Sequence, residues 1–518
     1  MARIPIYPRA TQRNPKLARH LEGVSHRKFF RAAIKNFILL QLLFLGLFSY
    51  IFGSLFQQGV RTHNLTIGFV DYDGGAIGAA VRRAYSSLQS DNFPTLIERP
   101  ASDFPTPDDI YSDICGAEYW ATLYVLPGAS DRLHDALAGN GAQLFDRRNV
   151  MAYVWNEARY SSIVDQAIAN NVATLSSTAR IAYSTANGTG HVESILGANT
   201  TLAAVSLLAD PWELVSIDIQ PTSQGSRAIY NTVAIILIMM QEFFYLGIIN
   251  GLHHNFQVYN KLRPSRIVLF RTMSSVAYCF VGSLCLAGAI WAFRSGWNVG
   301  GGQFMLTWMT LWLFAHLNFQ TLDVFSVWLP LPYVPMALVA WVVFNVTSVI
   351  LPLELSAAWY RVGYAFPAHN TYQTLMDIWS GGCNPHLYYT LPILFAWEVL
   401  STVLAVLGVY RRSHYAALAE EAAQKQLNER IDTAVDFQRK LEREAREEEG
   451  NKAEEKEDVE QGASESTSEG RIRRELAEVI DKENEQIRRE QTREMRAAPG
   501  FGPAFELPFR PEGSDDDA

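Results

Sequence analysis

The chain is short of cysteine, with four in 518 residues. Cys115, Cys279, Cys285 and Cys383 form no CxxC pair and no metal-ligand spacing, which excludes a zinc module and a disulfide-dense scaffold. Charge is missing from one long region: residues 228–410 carry six Lys or Arg and five acids. A soluble domain devotes about a quarter of its residues to charge, so this region belongs in lipid. Lysine is absent from residues 57–227, which hold ten arginines and eighteen acids. Also missing are Gly-x-x-x-x-Gly-Lys-Ser/Thr, His-Glu-x-x-His and Gly-x-Ser-x-Gly, the usual apparatus of ATP hydrolysis, zinc peptidases and serine hydrolases. Gly300-Gly301-Gly302 lacks the strand and lysine of a phosphate loop. The expectation is a protein that is not an enzyme and has no cofactor, no metal and no nucleic-acid partner.

What is present is hydrophobic length. A hydrocarbon core about 30 Å thick needs apolar runs of roughly 17–25 residues. Six runs qualify: Phe37 to Phe56, Ala228 to Leu252, Met273 to Phe293, Phe304 to Leu322, Leu331 to Leu351 and Leu391 to Tyr410. The first follows a basic head, residues 1–36, and is longer than a signal-peptide core, so it reads as a signal anchor. Basic residues gather before it (Arg27, Lys28, Arg31, Lys35), after the second run (Lys261, Arg263, Arg266, Arg271) and after the last (Arg411, Arg412). The positive-inside rule then predicts both termini in the cytosol and residues 57–227 on the other side. That segment is acidic and holds glycosylation sequons at Asn64, Asn187 and Asn199; a fourth, at Asn345, falls within a span. The predicted fold is a polytopic α-helical membrane protein with six transmembrane helices, an external α/β domain between the first and second, and a charged cytosolic tail.

Within 57–227, Leu65 to Val70 reads as a strand running into the turn Asp71-Tyr72-Asp73-Gly74-Gly75 and a helix through Tyr85. A second strand over Tyr119 to Leu126 ends at Pro127-Gly128 before a helix over Ser130 to Leu137, and Val215 to Ile219 reads as a last strand. Val150 to Tyr183 is Ala-rich with spaced apolar residues and predicts one or two helices. Past Tyr410, Leu427, Ile431, Ala434 and Leu441, then Ile472, Leu476, Val479 and Ile487, give two broken heptads around the low-complexity stretch Gly450 to Gly470. This tail, 411–518, is either solvated helix and disorder or a coiled-coil site for a cytosolic partner.

Four short motifs in order carry a family resemblance: Ile67-Gly68-Phe69-Val70-Asp71-Tyr72-Asp73-Gly74-Gly75 with Ile77-Gly78, Tyr119-Trp120-Ala121, Gln241-Glu242-Phe243-Phe244, and Tyr364-Ala365-Phe366-Pro367-Ala368-His369-Asn370. Over residues 30 to 412 the chain resembles fungal nitrosoguanidine-resistance membrane proteins, similar in layout to phage-infection-type proteins and, more distantly, to ABC-2 type permeases. The resemblance implies resistance to toxic compounds, through export of small hydrophobic toxicants or through altered lipid distribution, at the plasma membrane rather than an endomembrane. Membrane lipids are the implied partners and a homo-oligomer is compatible with it; a permease of this kind has no engine of its own.

Ionisable groups inside spans are the candidate site. A central Asp costs about 2.5–3.5 kcal/mol on insertion scales and needs a partner or a polar cavity. Glu242 in the second span, His316 and Asp323 in the fourth, and Glu398 in the last form either a polar path between helices or hydrogen bonds that set packing. Pro352 to Thr390 is too polar to span yet rich in Trp359, Tyr360, Tyr364, Phe366 and Trp379, so residues 352–390 read as short helices at the external interface or as an aromatic belt. Cys115 and Cys383 fall on the same oxidising side, where they either pair or stay as free thiols.

Overall fold

The computed structural model describes residues 26–450, apart from 139–142, 198–201, 222–226, 228, 295 and 331–332. The sequon residue Asn199 and the tail from 451 onward fall outside the described residues.

Helix α1 (His26–Leu55) forms a compact unit by itself with the residues up to Ser54. Its stretch Ile34–Leu55 is 22 residues of high hydropathy. Phe37, Phe44, Phe48 and Phe52 leave their rings exposed, an apolar surface of the kind a bilayer covers.

From Leu55 the chain builds a second unit that opens with an α/β domain. Strands β1 (Thr66–Asp71), β2 (Thr95–Arg99), β3 (Ala121–Val125), β4 (Met151–Trp155) and β5 (Leu214–Asp218) form one sheet in the order β2-β1-β3-β4-β5. β1 runs parallel to β2 and β3, β4 is antiparallel to β3, and β5 is parallel to β4. Every residue of β3 and β4 is buried, as befits central strands covered on both faces. On one face lie α2 (Ala76–Leu88), α4 (Ala129–Leu137), α6 (Asn170–Gly197) and α7 (Leu202–Ala209), with α2 burying Ile77, Ala80, Val81 and Ala84 at helical spacing. On the other, α3 (Pro107–Cys115) presses Ile110 and Ile114 onto Val70, Tyr124 and Val154. A capping box between Thr106 and Asp109 and a proline in its first turn start α3.

Two strands were not legible. Val150 to Tyr183 is not helical throughout: β4 precedes α5 (Ser161–Val164), a π-turn over Asp165–Ala169, and α6. β4 is five residues with no alternation, because both its faces are covered, so the neighbouring Ala-rich helix dominates the pattern. β2 is an edge strand of mixed polarity, recognisable only through its pairing with β1.

The rest is a helical bundle: α8 (Val233–Asn255), the short α9 (Val258–Lys261), α10 (Pro264–Ala292), α11 (Gly301–Trp328), α12 (Val334–Ile350), α13 (Pro367–Trp379) and α14 (Leu387–Gly450). Among the described residues four helices are long and apolar enough to cross a membrane: α1, α8, α10 and the segment Leu387–Asp436 of α14. α12 is apolar but only 17 residues long. α11, at 28 residues, has the length and not the composition, because it is the bundle's central helix. It packs on α8, α10, α13 and α14 and buries an unbroken run from Phe314 to Asp323.

Residues 352–390 form short helices that pack into the bundle. All thirteen residues of α13 are buried, and it packs against α11, α12 and α14. Of the aromatic residues singled out there, Tyr360 and Trp379 are buried while Trp359 and Tyr364 are exposed. α14 continues from the last apolar run into the tail without a break, and Ile431 on its later part is buried.

Candidate functional site

The Asp71–Gly78 motif builds a turn. The Asp71 carboxylate accepts hydrogen bonds from the backbone N–H groups of Asp73 and Gly74 at 3.2 and 2.9 Å and pairs with Arg82, which also reaches Glu98 on β2. Asp73 in turn accepts from the backbone N–H and hydroxyl of Ser130 at the start of α4. A Cβ at Gly78 would collide with the Asp71 carboxylate, which is why the motif has glycine there. These residues fix the β1–α2 junction.

The four intramembrane candidates are not brought together at one point. His316 Nδ1 lies 2.6 Å from Glu398 Oε1, joining α11 to α14, and its Nε2 lies 3.2 Å from the Ser275 hydroxyl and 3.3 Å from Gln320 Nε2. Two turns along the same face of α11, Asp323 pairs bidentately with Arg271 of α10 at 2.9 and 2.6 Å and with Arg412 of α14 at 3.2 Å. Asn250 and His253 of α8 complete the shell around Arg271; Tyr259 and Ser326 complete that around Arg412. Between the two groups is a gap of about 10 Å³ lined by Arg271, Gln320 and Thr402. Glu242 stands apart, buried between α8 and α10 with the Cys279 thiol 3.1 Å from its carboxylate. Sequence reasoning had Arg271 and Arg412 as topology signals only; their role in holding Asp323 had no one-dimensional trace.

Cys115, the last residue of α3, is bonded to Cys383, just after α13. Asn156 Nδ2 donates to the Cys383 carbonyl at 3.1 Å, and the rings of Tyr160 and Tyr372 meet edge-on at 5.2 Å, so the α/β domain is fastened to the α13 layer along a continuous seam. Asn64 joins the same seam: its Nδ2, the atom a glycan would occupy, donates to the Glu354 carbonyl at 3.0 Å. Asn187 lies within α6, and Asn345 is buried in α12, where its amide oxygen receives the Ala368 N–H.

The seam encloses a cavity of about 370 Å³ that the sequence did not reveal. Trp120 and Arg159 come from the domain; Glu354, Tyr364 and His369 come from the segment before the last span. Two of the four family motifs, Tyr119-Trp120-Ala121 and Tyr364 to Asn370, therefore meet at one place. The one local hint at Arg159 and Tyr160 is their backbone, since Tyr160 has φ of 52°, a conformation a bulky residue adopts only when its surroundings hold it there. Among the described residues no group of three or more His, Cys, Asp or Glu side chains is placed to hold a metal ion.

Fold and buried polar groups together define a polytopic helical membrane protein with an α/β domain inserted ahead of its main bundle. The chain belongs to a family described as a protein of unknown function (DUF3533), whose model matches residues 36–403. A curated relative, an uncharacterized endoplasmic reticulum membrane protein of Saccharomyces cerevisiae, is 22% identical over 311 residues, 57% of this chain and 60% of the relative. The chain thus spans well under two thirds of that relative's length. No solved structure matches.

Proposed function

We propose that this chain is a non-enzymatic membrane transporter, permease-like in layout, that moves lipids between leaflets or exports small hydrophobic toxicants. In this reading α11 and α12 span the bilayer alongside the four long apolar helices, residues 57–227 lie outside the cytosol, both termini lie inside, and the plasma membrane is the site of action. The lysine-free middle and the basic loops support that orientation.

The observation that carries the reading is the stripe Glu398–His316–Gln320–Arg271–Asp323–Arg412 across α10, α11 and α14. Packing alone does not need six polar side chains in register inside a bundle whose outer face, at Phe395, Val399, Val403 and Leu407, is apolar and exposed. Glu398 also keeps one buried carboxylate oxygen without a hydrogen-bond partner, an atom a passing polar group would engage.

The test is flux of a fluorescent phospholipid analogue and of a hydrophobic cation in proteoliposomes. Glu398→Gln and His316→Gln should each lower flux about tenfold while inserting normally. Equal flux at equal protein density would remove the stripe from the mechanism. A second reading, a receptor or scaffold whose outer domain binds a ligand and whose tail recruits cytosolic partners, is favoured by α14, a continuous helix from the last span into the tail. Truncation after residue 415 separates the two, since a transporter tolerates it and a scaffold does not.

A further inference from the structure

The cavity in the seam contains a buried cation with no carboxylate in contact, the Glu354 charge acting on it only through space. Arg159 is 7% exposed, donates one hydrogen bond to the Tyr119 carbonyl at 3.1 Å, and stacks its guanidinium 4.3 Å above the Trp120 ring. Among the described residues no carboxylate lies within ion-pairing distance of it. Burial pulls its pKa down to about 10, so it remains charged at neutral pH. A buried charge is ordinarily paired, because desolvation otherwise costs several kcal/mol.

Around it stand further unmet groups. The Tyr160 hydroxyl, His369 Nε2 and His386 Nδ1 are buried without a hydrogen-bond partner. Tyr160 and His369 are 3% and 2% exposed, and all three residues line the cavity. His369 Nδ1 is 3.1 Å from the Ser348 carbonyl and therefore carries the proton, which leaves Nε2 as an acceptor on a ring that burial keeps neutral. The occupant must then offer an anionic oxygen to Arg159 and Tyr160 and also a hydrogen-bond donor to His369. Exposed Glu354 at the rim opposes a second negative charge, which selects a phosphodiester over a phosphomonoester.

Tyr364 is shared with an apolar groove of about 420 Å³ lined by Ala365, Ile393, Ala396, Trp397 and Leu400 on the outer half of the last apolar run. The Trp397 indole N–H is already taken by the Ala365 carbonyl, so the groove presents hydrocarbon. A polar cavity with one unpaired cation that opens beside an apolar groove matches a molecule with a head and a tail.

We propose that this cavity binds the headgroup of a glycerophospholipid whose phosphodiester pairs with Arg159 and whose hydroxyl or ammonium hydrogen meets His369, with an acyl chain along the Tyr364–Leu400 groove. This deepens the transport reading by assigning the class of lipid. The site is tested by binding, so a chain that binds lipid and moves none keeps the site and loses the transport reading.

The experiment is native mass spectrometry of the delipidated full chain titrated with phosphatidylglycerol, phosphatidylmethanol and phosphatidylcholine. Phosphatidylmethanol has the charge of phosphatidylglycerol without its headgroup hydroxyls. Phosphatidylglycerol should bind at least tenfold tighter than either. Arg159→Met should weaken binding of phosphatidylglycerol at least tenfold, and of the other two lipids with it, and Arg159→Lys should restore part of the affinity. Tyr160→Phe should weaken phosphatidylglycerol binding severalfold while leaving the lipid-free melting temperature unchanged or higher, since it removes a buried hydroxyl with no partner. Equal binding of the three lipids, or a phosphatidylglycerol affinity unchanged by both Arg159→Met and Tyr160→Phe, would overturn the proposal. Competition by glycerol phosphate or inorganic phosphate at concentrations matching the lipid would assign the cavity to a soluble phosphate and overturn the lipid source.

Discussion

Cys115 and Cys383, 268 positions apart, are joined by a disulfide that fastens the edge of the α/β domain to the chain just after α13. Closing so long a loop removes much of the entropy of the unfolded chain, on the order of 5–6 kcal/mol in the chain-entropy account. Cys115→Ala should therefore lower the melting temperature of the full chain by several degrees and leave Cys383 open to alkylation. Peptide mapping without reduction checks the bond directly: recovering alkylated Cys115 and Cys383 from the wild type would exclude it.

Asp323 is a single carboxylate between two arginines, Arg271 and Arg412, and is fully buried. Asp323→Asn leaves both guanidinium groups buried without their counter-charge, and breaking such a group by removing one partner costs about 3–5 kcal/mol. Glu398→Gln should cost far less, because its partner His316 is able to be neutral and the side chain is one-fifth exposed. Thermal stability in detergent should fall sharply for the first variant and little for the second. The reverse order would make Glu398 the structural group and Asp323 the functional one.

Asp218 ends β5 and accepts hydrogen bonds from the backbone N–H groups of Glu157 and Gln220 at 3.0 and 3.1 Å. Burial, with the Glu157 side chain beside it, nonetheless raises its pKa to about 7. The folded chain thus holds this proton more tightly than the unfolded one, whose aspartates titrate near 3.9. The stability it contributes is complete below about pH 4 and is lost as pH rises through 7. Asp218→Asn keeps an acceptor for both N–H groups and removes the titration. Its melting temperature should lie near the wild type at pH 4 and exceed it by a growing margin up to pH 8; a constant offset at both would put the effect elsewhere.

Hydrophobic length and charge asymmetry made the apolar helices legible, and turn residues such as Asp71 to Gly75 marked the start of the domain. Strands β2 and β4 escaped because one is a half-polar edge and the other is buried on both faces, so neither alternates. The burial of α13 was not legible because its polar residues look solvated in one dimension. In the structure Asn370 reaches back to the carbonyls of Tyr364 and Phe366, and Thr374 meets Thr390, so part of this polarity is satisfied inside the bundle, while His369 Nε2 and Thr371 Oγ1 are left without partners. Among site residues, His316 and Glu398 were visible as charges in lipid. Arg159 was not, because an arginine in an acidic domain draws no notice until its lack of a carboxylate partner is seen in three dimensions.

The proposed orientation of the domain rests on charge placement and is open to direct measurement. Asp135 on α4 and Asn255 at the end of α8 are both exposed, and the positive-inside reading puts them on opposite sides of the membrane. Cys279 is buried and the bonded pair does not react, so Cys285→Ala clears the background. Single cysteines introduced at the two positions should then react differently with a membrane-impermeant maleimide applied to sealed cells or inside-out vesicles. Asp135→Cys should label from the non-cytosolic side and Asn255→Cys only from the cytosol. Because Lys261, Arg263 and Arg266 follow α8 closely, moving the second cysteine outside would require carrying those charges across as well. Labelling of both positions from the cytosol would place the α/β domain inside the cell. It would also put the Cys115–Cys383 bond in a reducing compartment, and the two results would have to fail together.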